Sequence, residues 1–145
     1  MVGLTEFKTI LVGVDESEGA QKAFRYAVKQ ASQTGATLLI ASILETKGLN
    51  VYEALDAEYL SQKQSQVVLN LEKYQQFAQE NGVKNSQLYS GEGDPAVEII
   101  QTILPTTAAD LLIIGSRSLH GVKGYFGSHA TYMVKNAPIS VTVIK

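Results

Sequence analysis

The chain has 145 residues, with 12 Lys and Arg against 14 Asp and Glu for a formal charge of −2; 45% of its residues are hydrophobic and 18% charged. That length suits one domain spanning 1–145, able to bury roughly 68–70% of the surface an unfolded chain exposes, so the core needs no metal or disulfide staple. Near-neutral charge argues against an electrostatic nucleic-acid binder or a polybasic membrane reader, and the absence of Cys removes disulfides, thiol nucleophiles and zinc–thiolate sites together.

The opening Met1-Val2-Gly3-Leu4-Thr5-Glu6-Phe7-Lys8 lacks the basic-then-apolar pattern of a signal peptide. No apolar run approaches the ~18 residues needed to cross a bilayer. With no Cys, these features set the expectation of a soluble cytoplasmic protein without membrane or nucleic-acid partners.

Ile10-Leu11-Val12-Gly13-Val14 is a continuous β-branched run, which predicts a strand covered on both faces. Beyond Asp15-Glu16-Ser17 the period changes, and Ala20, Ala23, Phe24, Ala27, Val28 and Ala31 fall on one helical stripe. Asp15 or Ser17 can cap that helix and Gly35 can end it. Leu38 to Leu44 predicts a second buried strand, and residues 45–55 lack a period and read as a connection. A long polar helix over 56–81 carries Leu60, Val67, Val68, Leu71, Tyr74 and Ala78 on one side and closes at Asn81-Gly82. Residues 87–90 form a weaker third strand leading into Gly91-Glu92-Gly93.

Asp94 then caps a helix that opens on Pro95, with Val97, Ile100, Ile103 and Leu104 as its face. Leu111 to Ile114 is a fourth strand, apolar throughout. A thirteen-residue loop with four glycines, 115–127, precedes a helical stripe of Ala130, Met133, Val134 and Ala137, which Pro138 stops. Residues 139–144 alternate apolar with polar, the pattern of a strand with one solvated face or a place near a sheet edge.

Strands and helices that alternate in this way imply an α/β fold: a single, doubly wound, open parallel five-stranded sheet with right-handed crossovers and helices on both faces. Ligands of such sheets bind beyond the carboxyl ends of the strands, where strand order reverses. Two ends stand out, Val14-Asp15-Glu16-Ser17 after the first strand and Gly115-Ser116-Arg117-Ser118 after the fourth. If those strands are neighbours, Asp15 can accept hydrogen bonds from ribose hydroxyls while the loop offers backbone N–H groups. Gly127-Ser128 opens a helix whose N-terminus favours phosphate, and Arg117 and Lys123 add positive charge. Together they suggest a nucleotide.

The same residues carry a family resemblance. Ile10 to Ser17, Gly93-Asp94-Pro95, Asp110 to Arg117, Gly127-Ser128 and Asn136-Ala137-Pro138-Ile139-Ser140-Val141 form an ordered set that resembles the universal stress proteins over nearly the whole chain. The resemblance implies the adenine nucleotide α-hydrolase-like fold with strand order 3-2-1-4-5, a regulatory role in the stress response, and ATP or a related nucleotide, alone or with Mg²⁺. It places Asp15 on the ribose, the Val14 backbone against the nucleoside and Ile43 beside the adenine. Gly115, Arg117, Ser118, Gly127 and Ser128 then surround the phosphates. Nucleotide-binding members carry a glycine, two residues, a glycine, nine residues, then glycine and Ser or Thr. Here Ser118 stands at the second glycine and eight residues, 119–126, separate it from Gly127. A serine held at positive φ costs about 1–2 kcal/mol. His129 stands where the family has a small apolar residue, so its pattern predicts no phosphate contact there.

Each of these residues also has a plainer reading. Asp15 is a helix cap, the glycine-rich loop a connection, and Arg117 and Lys123 solvated charges. Ser128 with His129 invites a catalytic dyad, but adjacent residues at a helix start point in different directions, and Ser128 reads as a cap. His120 and His129 are too few for a metal site. No nucleophile–base pair falls in one pocket, so no catalytic residue is assigned and slow ATP hydrolysis is the most that is expected. Members lacking the glycine motif are thought to act through protein contacts, which makes a regulatory protein partner the alternative. A third reading is a receiver-like phosphoacceptor switch, because Asp15-Glu16 imitates a receiver's acidic pair, although the third strand offers no aspartate. Ile139, Val141 and Val143 leave a terminal strand with an open edge, and the resemblance implies a homodimer in which strands 139–144 pair antiparallel.

Overall fold

A computed structural model describes residues 6–46, 48–116 and 127–145. The elements run β1 (Thr9–Gly13), α1 (Glu18–Thr34), β2 (Thr37–Glu45), α2 (Val51–Leu55), α3 (Ala57–Glu80), β3 (Ser86–Gly93), α4 (Pro95–Val97), a π-helical turn (Glu98–Ile103), a 3₁₀ turn (Leu104–Thr106), β4 (Leu111–Gly115), α5 (Ser128–Asn136) and β5 (Ser140–Ile144). The strands form one parallel sheet in the order β3-β2-β1-β4-β5. This is the 3-2-1-4-5 order that the resemblance implies. A receiver places its third strand beside its first; here β3 lies at the outer edge beside β2, which removes that reading.

β1 is the middle of the sheet. Ile10 pairs with Leu38 on one side and Leu111 on the other, and Val12 with Ile40 and Ile113. Alternate residues feed two separate cores. Ile10, Val12 and Val14 pack with the α1 stripe and with Leu71 and Ala78 of α3. Leu11 faces the opposite way, toward Ala96, Ile99, Ile100 and Ile103, with Ala130 and Met133 of α5. Burial on both faces is why these strands read as unbroken apolar runs rather than alternating ones. The sheet-edge strand β5 is flanked by β4 alone and its residues are only half-buried, which accounts for its alternation.

The helix signals are realised as local chemistry. Ser17 is the α1 cap, its hydroxyl accepting from the Ala20 N–H at 3.2 Å, and Gly35 ends the helix at φ 78°, a left-handed conformation that glycine adopts without penalty. Asp56 caps α3 and Asp94 caps α4. Tyr74 of α3 packs on Phe24 at a centroid distance of 5.1 Å, and its hydroxyl accepts from Gln21 Nε2.

Several expectations are corrected. Residues 51–55 of the expected connection form α2, because the Asn50 side chain accepts from the Glu53 N–H; a helix of five residues with none buried has no stripe to detect. Tyr52 lies on α2 and is 86% exposed. Val68 is exposed rather than on the core face of α3. β3 continues through Gly91 to Gly93 because its backbone stays paired with β2 as far as Glu45. The helix after Asp94 changes to a π turn and a 3₁₀ turn: Leu104 N–H reaches back to the Ile99 carbonyl, and Pro105 has no N–H to continue a regular ladder.

No helix among the described residues is long and apolar enough to cross a membrane. The entry of β1 is held by Asp110, whose carboxylate accepts from Lys8 N–H at 3.0 Å and Thr9 N–H at 2.9 Å, while its own N–H donates to the Thr9 carbonyl. Hydrogen bonds to an ionised acceptor are the stronger kind. Asp110→Ala is therefore expected to lower the unfolding free energy by about 1–2 kcal/mol in urea titration, with the far-ultraviolet circular dichroism spectrum unchanged.

Candidate functional site

Chain direction opens the site. The chain leaving β1 turns to the face that α1 and α3 cover, and the chain leaving β4 returns through α5 on the other face. Between two neighbouring parallel strands whose successors diverge, a crevice is left at the carboxyl ends. A cleft of about 150 Å³ occupies that position. Its lining comes from five directions: Gly13, Val14, Asp15, Ser17 and Ala20; Ala41, Ile43 and Glu45; Pro95 and Ile99; Ile114 and Gly115; and His129, Ala130 and Met133.

The floor is backbone and aliphatic carbon. Val14 is buried and its N–H donates to the Ala41 carbonyl at 2.8 Å. A Cβ on Gly13 would lie 2.8 Å from Ile99 Cδ1, and a Cβ on Gly115 would lie 2.6 Å from the Gly19 carbonyl carbon. Gly115 is thus required by the approach of β4 to the start of α1, with or without a ligand. Ile43 stands over β3, its Cδ1 3.3 Å from where a Cβ of Gly91 would be.

Asp15 is not the cap of α1, which is Ser17, but orders the approach to it. One carboxylate oxygen, Oδ1, accepts from the Ser17 N–H at 2.7 Å, which orders the turn into α1, and its backbone carbonyl accepts from Gln21 Nε2. The residue is exposed at the rim, so its second oxygen faces solvent with acceptor capacity in hand.

Of the residues singled out by sequence, the cleft brings together Val14, Asp15, Ile43 and Gly115. Gly127 and Ser128 are not among its described lining. Gly127 is buried, and its N–H is used by the Ser116 carbonyl at 2.7 Å, which ties together the two ends flanking residues 117–126. Gly127 is also the cap position of α5, without a side-chain bond, so the expectation that Ser128 caps this helix is corrected: Ser128 is its exposed first residue. Arg117 and Ser118 lie outside the described residues, as do Lys123 and His120.

The structure adds residues that sequence reasoning did not assign to the cleft. Glu45 was legible, since Ala41, Ile43 and Glu45 follow the two-residue period of a strand and share a face. Pro95, Ile99, Met133 and His129 were not, because a helical pattern does not say which part of its face meets a crevice two strands away. His129 has its Nε2 3.9 Å from Asp94 Oδ2, an ion-pair distance when the ring is protonated. Among the described residues the ionisable side chains lining the cleft are those of Asp15, Glu45 and this histidine.

Comparison with known proteins agrees on one family. The profile of the universal stress protein family matches residues 6–145. A universal stress protein of Staphylococcus haemolyticus is 31% identical over 140 residues, covering 96% of this chain and 85% of that protein. The universal stress protein UspA from Lactobacillus plantarum superposes with a TM-score of 0.86 at 25% identity, covering 98% of this chain and 100% of that one. A universal stress protein from Archaeoglobus fulgidus, solved in complex with dAMP, has a TM-score of 0.67 at 20% identity over 95% of this chain and 98% of its own; that likeness concerns the fold.

Because a Cβ at position 115 meets the backbone of α1 rather than a movable side chain, Gly115→Ala is expected to destabilise by about 2–3 kcal/mol, the upper part of the usual overpacking range. Chemical denaturation without any ligand measures it; a loss seen only in ligand binding, with stability intact, contradicts the packing account.

Proposed function

From the premise that the chain belongs to the universal stress protein family, we propose that it is a small cytoplasmic regulatory protein of the stress response. In this reading it binds ATP or a related adenine nucleotide between Asp15 and the 115–128 segment. The observation that carries the proposal is the convergence of Val14, Asp15, Ile43 and Gly115 with the start of α5 on one cleft at the carboxyl ends of the strands. An aliphatic floor suits a purine, and the free acceptor of Asp15 suits a ribose hydroxyl. The first turn of α5, nine residues long and without a side-chain cap, supplies N–H groups that lack helical acceptors and the positive end of a helix dipole. The dAMP-bound neighbour of the same fold is consistent with this assignment.

The residues present suit a nucleotide at this cleft, because its lining sets aliphatic side chains of Val14, Ile43 and Ile99 beside the rim carboxylate of Asp15. No group of three His, Cys, Asp or Glu side chains among the described residues is placed to hold a metal ion. The proposal therefore leaves Mg²⁺ to the phosphates, as is usual for that cation. Ser118 and the eight-residue spacing to Gly127 favour a second reading, a member that acts through contacts with a regulatory protein partner and holds no nucleotide.

The same proposal makes the protein a homodimer through strand 139–144. β5 is an edge strand with half-buried Val141 and Val143, and an open edge of this kind is a template for antiparallel pairing.

Heating the protein with millimolar Mg·ATP is expected to raise its melting midpoint; ligand at 100 times its dissociation constant contributes about 2.7 kcal/mol. Asp15→Asn keeps an oxygen for the Ser17 N–H, so it is expected to leave the ligand-free midpoint in place and to shrink the ATP-induced shift. A wild-type midpoint that ignores ATP favours the second reading, as does freshly purified protein without nucleotide absorbance near 260 nm. In sedimentation at micromolar concentration the expected mass is twice the 15.7 kDa of the chain, and a monomer contradicts the dimer.

A further inference from the structure

We infer that His129 makes the cleft discriminate between phosphorylated and unphosphorylated nucleosides, a reading that rests on the nucleotide-binding role proposed above. Asp15 and Glu45 bring carboxylates to the cleft, and both repel a phosphate. Among the described lining, His129 is the one residue able to carry a positive charge. Its side chain is 24% exposed, covered far more than a surface charge that happens to stand near a carboxylate.

The ring lies beside a carboxylate that is itself fixed. Asp94 Oδ1 accepts from the Val97 N–H at 3.1 Å as the cap of α4, which leaves Oδ2 directed to His129 Nε2 at 3.9 Å. At that separation the carboxylate stands near Nε2 but beyond hydrogen-bond reach of it. Nδ1 has no hydrogen-bond partner among the described residues, and in the protonated ring it is a donor. A positive charge on the second residue of α5 opposes the helix dipole, so helix stability does not explain the residue. An anion between the first turn of α5 and the ring reverses the sign: backbone N–H groups, dipole and imidazolium then act on it together, in a cleft partly closed to water. Asp94 is a positioning residue in this arrangement, and His129 is the group that touches the phosphate.

The test is calorimetric titration of the full chain and of His129→Val with adenosine, AMP and Mg·ATP. Wild type is expected to bind AMP and ATP more tightly than adenosine. His129→Val is expected to lose about tenfold for AMP and ATP, the effect of one charge-assisted hydrogen bond, while its adenosine affinity stays within about twofold. The ligand-free melting midpoint checks the fold, and His129→Ala replaces the valine variant if that one does not fold. Equal losses for adenosine and AMP, or no loss for either, overturn the inference and leave the nucleotide reading standing. A wild-type chain that binds none of the three overturns the nucleotide reading, and the inference falls with it.

Discussion

Parallel pairing of β1 with β4 is the contact on which the rest of the molecule depends. Ile10, Leu11 and Val12 lie beside Leu111, Leu112 and Ile113, and all six are buried. Each such side chain contributes roughly 1.5–3 kcal/mol when removed from water, so a shift of register would bring several of them to the surface at once. The pairing also sets the ends of the two strands side by side, Val14-Asp15 next to Gly115-Ser116. From there the chain departs to opposite faces of the sheet, and the crevice between the departures is a consequence of topology. Gly115 is the point where pairing and packing meet, because β4 lies close enough to α1 to leave no room for a Cβ.

Groups that build this crevice are the same groups that hold its walls. Asp15 orders the turn into α1 with one oxygen and keeps the other at the rim. Asp94 caps α4 with one oxygen and faces His129 with the other. Ser116 and Gly127 are tied by a 2.7 Å backbone hydrogen bond, so the segment between them begins and ends at one place beside the cleft. Sharing carboxylates between structure and site gives the polar groups fixed positions without further elements to support them, which is the preorganisation a small binding site needs.

The two edges of the sheet differ. β3 is backed by α3, and Gln75 Nε2 donates to the Ser86 hydroxyl at 3.1 Å beside the start of that strand. β5 follows α5 and pairs with β4 alone, its alternating residues neither buried nor fully solvated. Val141, Val143 and Ile144 along this edge are half-buried.

Periodicity in the sequence determined the types and order of the main elements, because burial on both faces writes unbroken apolar runs and burial of one helical stripe writes a three-four spacing. The caps at Ser17 and Asp94 and the stop at Gly35 were legible for a similar reason, since each acts within a few residues of itself. The family resemblance carried the strand order, and with it the meeting of Asp15 and Gly115. Only the tertiary structure decided that Gly115 answers to the backbone of α1, that Gly127 spends its N–H on Ser116, and that His129 stands beside Asp94. Those contacts join residues far apart along the chain, through distances set by how two helices settle on opposite faces of a sheet, and no local pattern encodes such a distance.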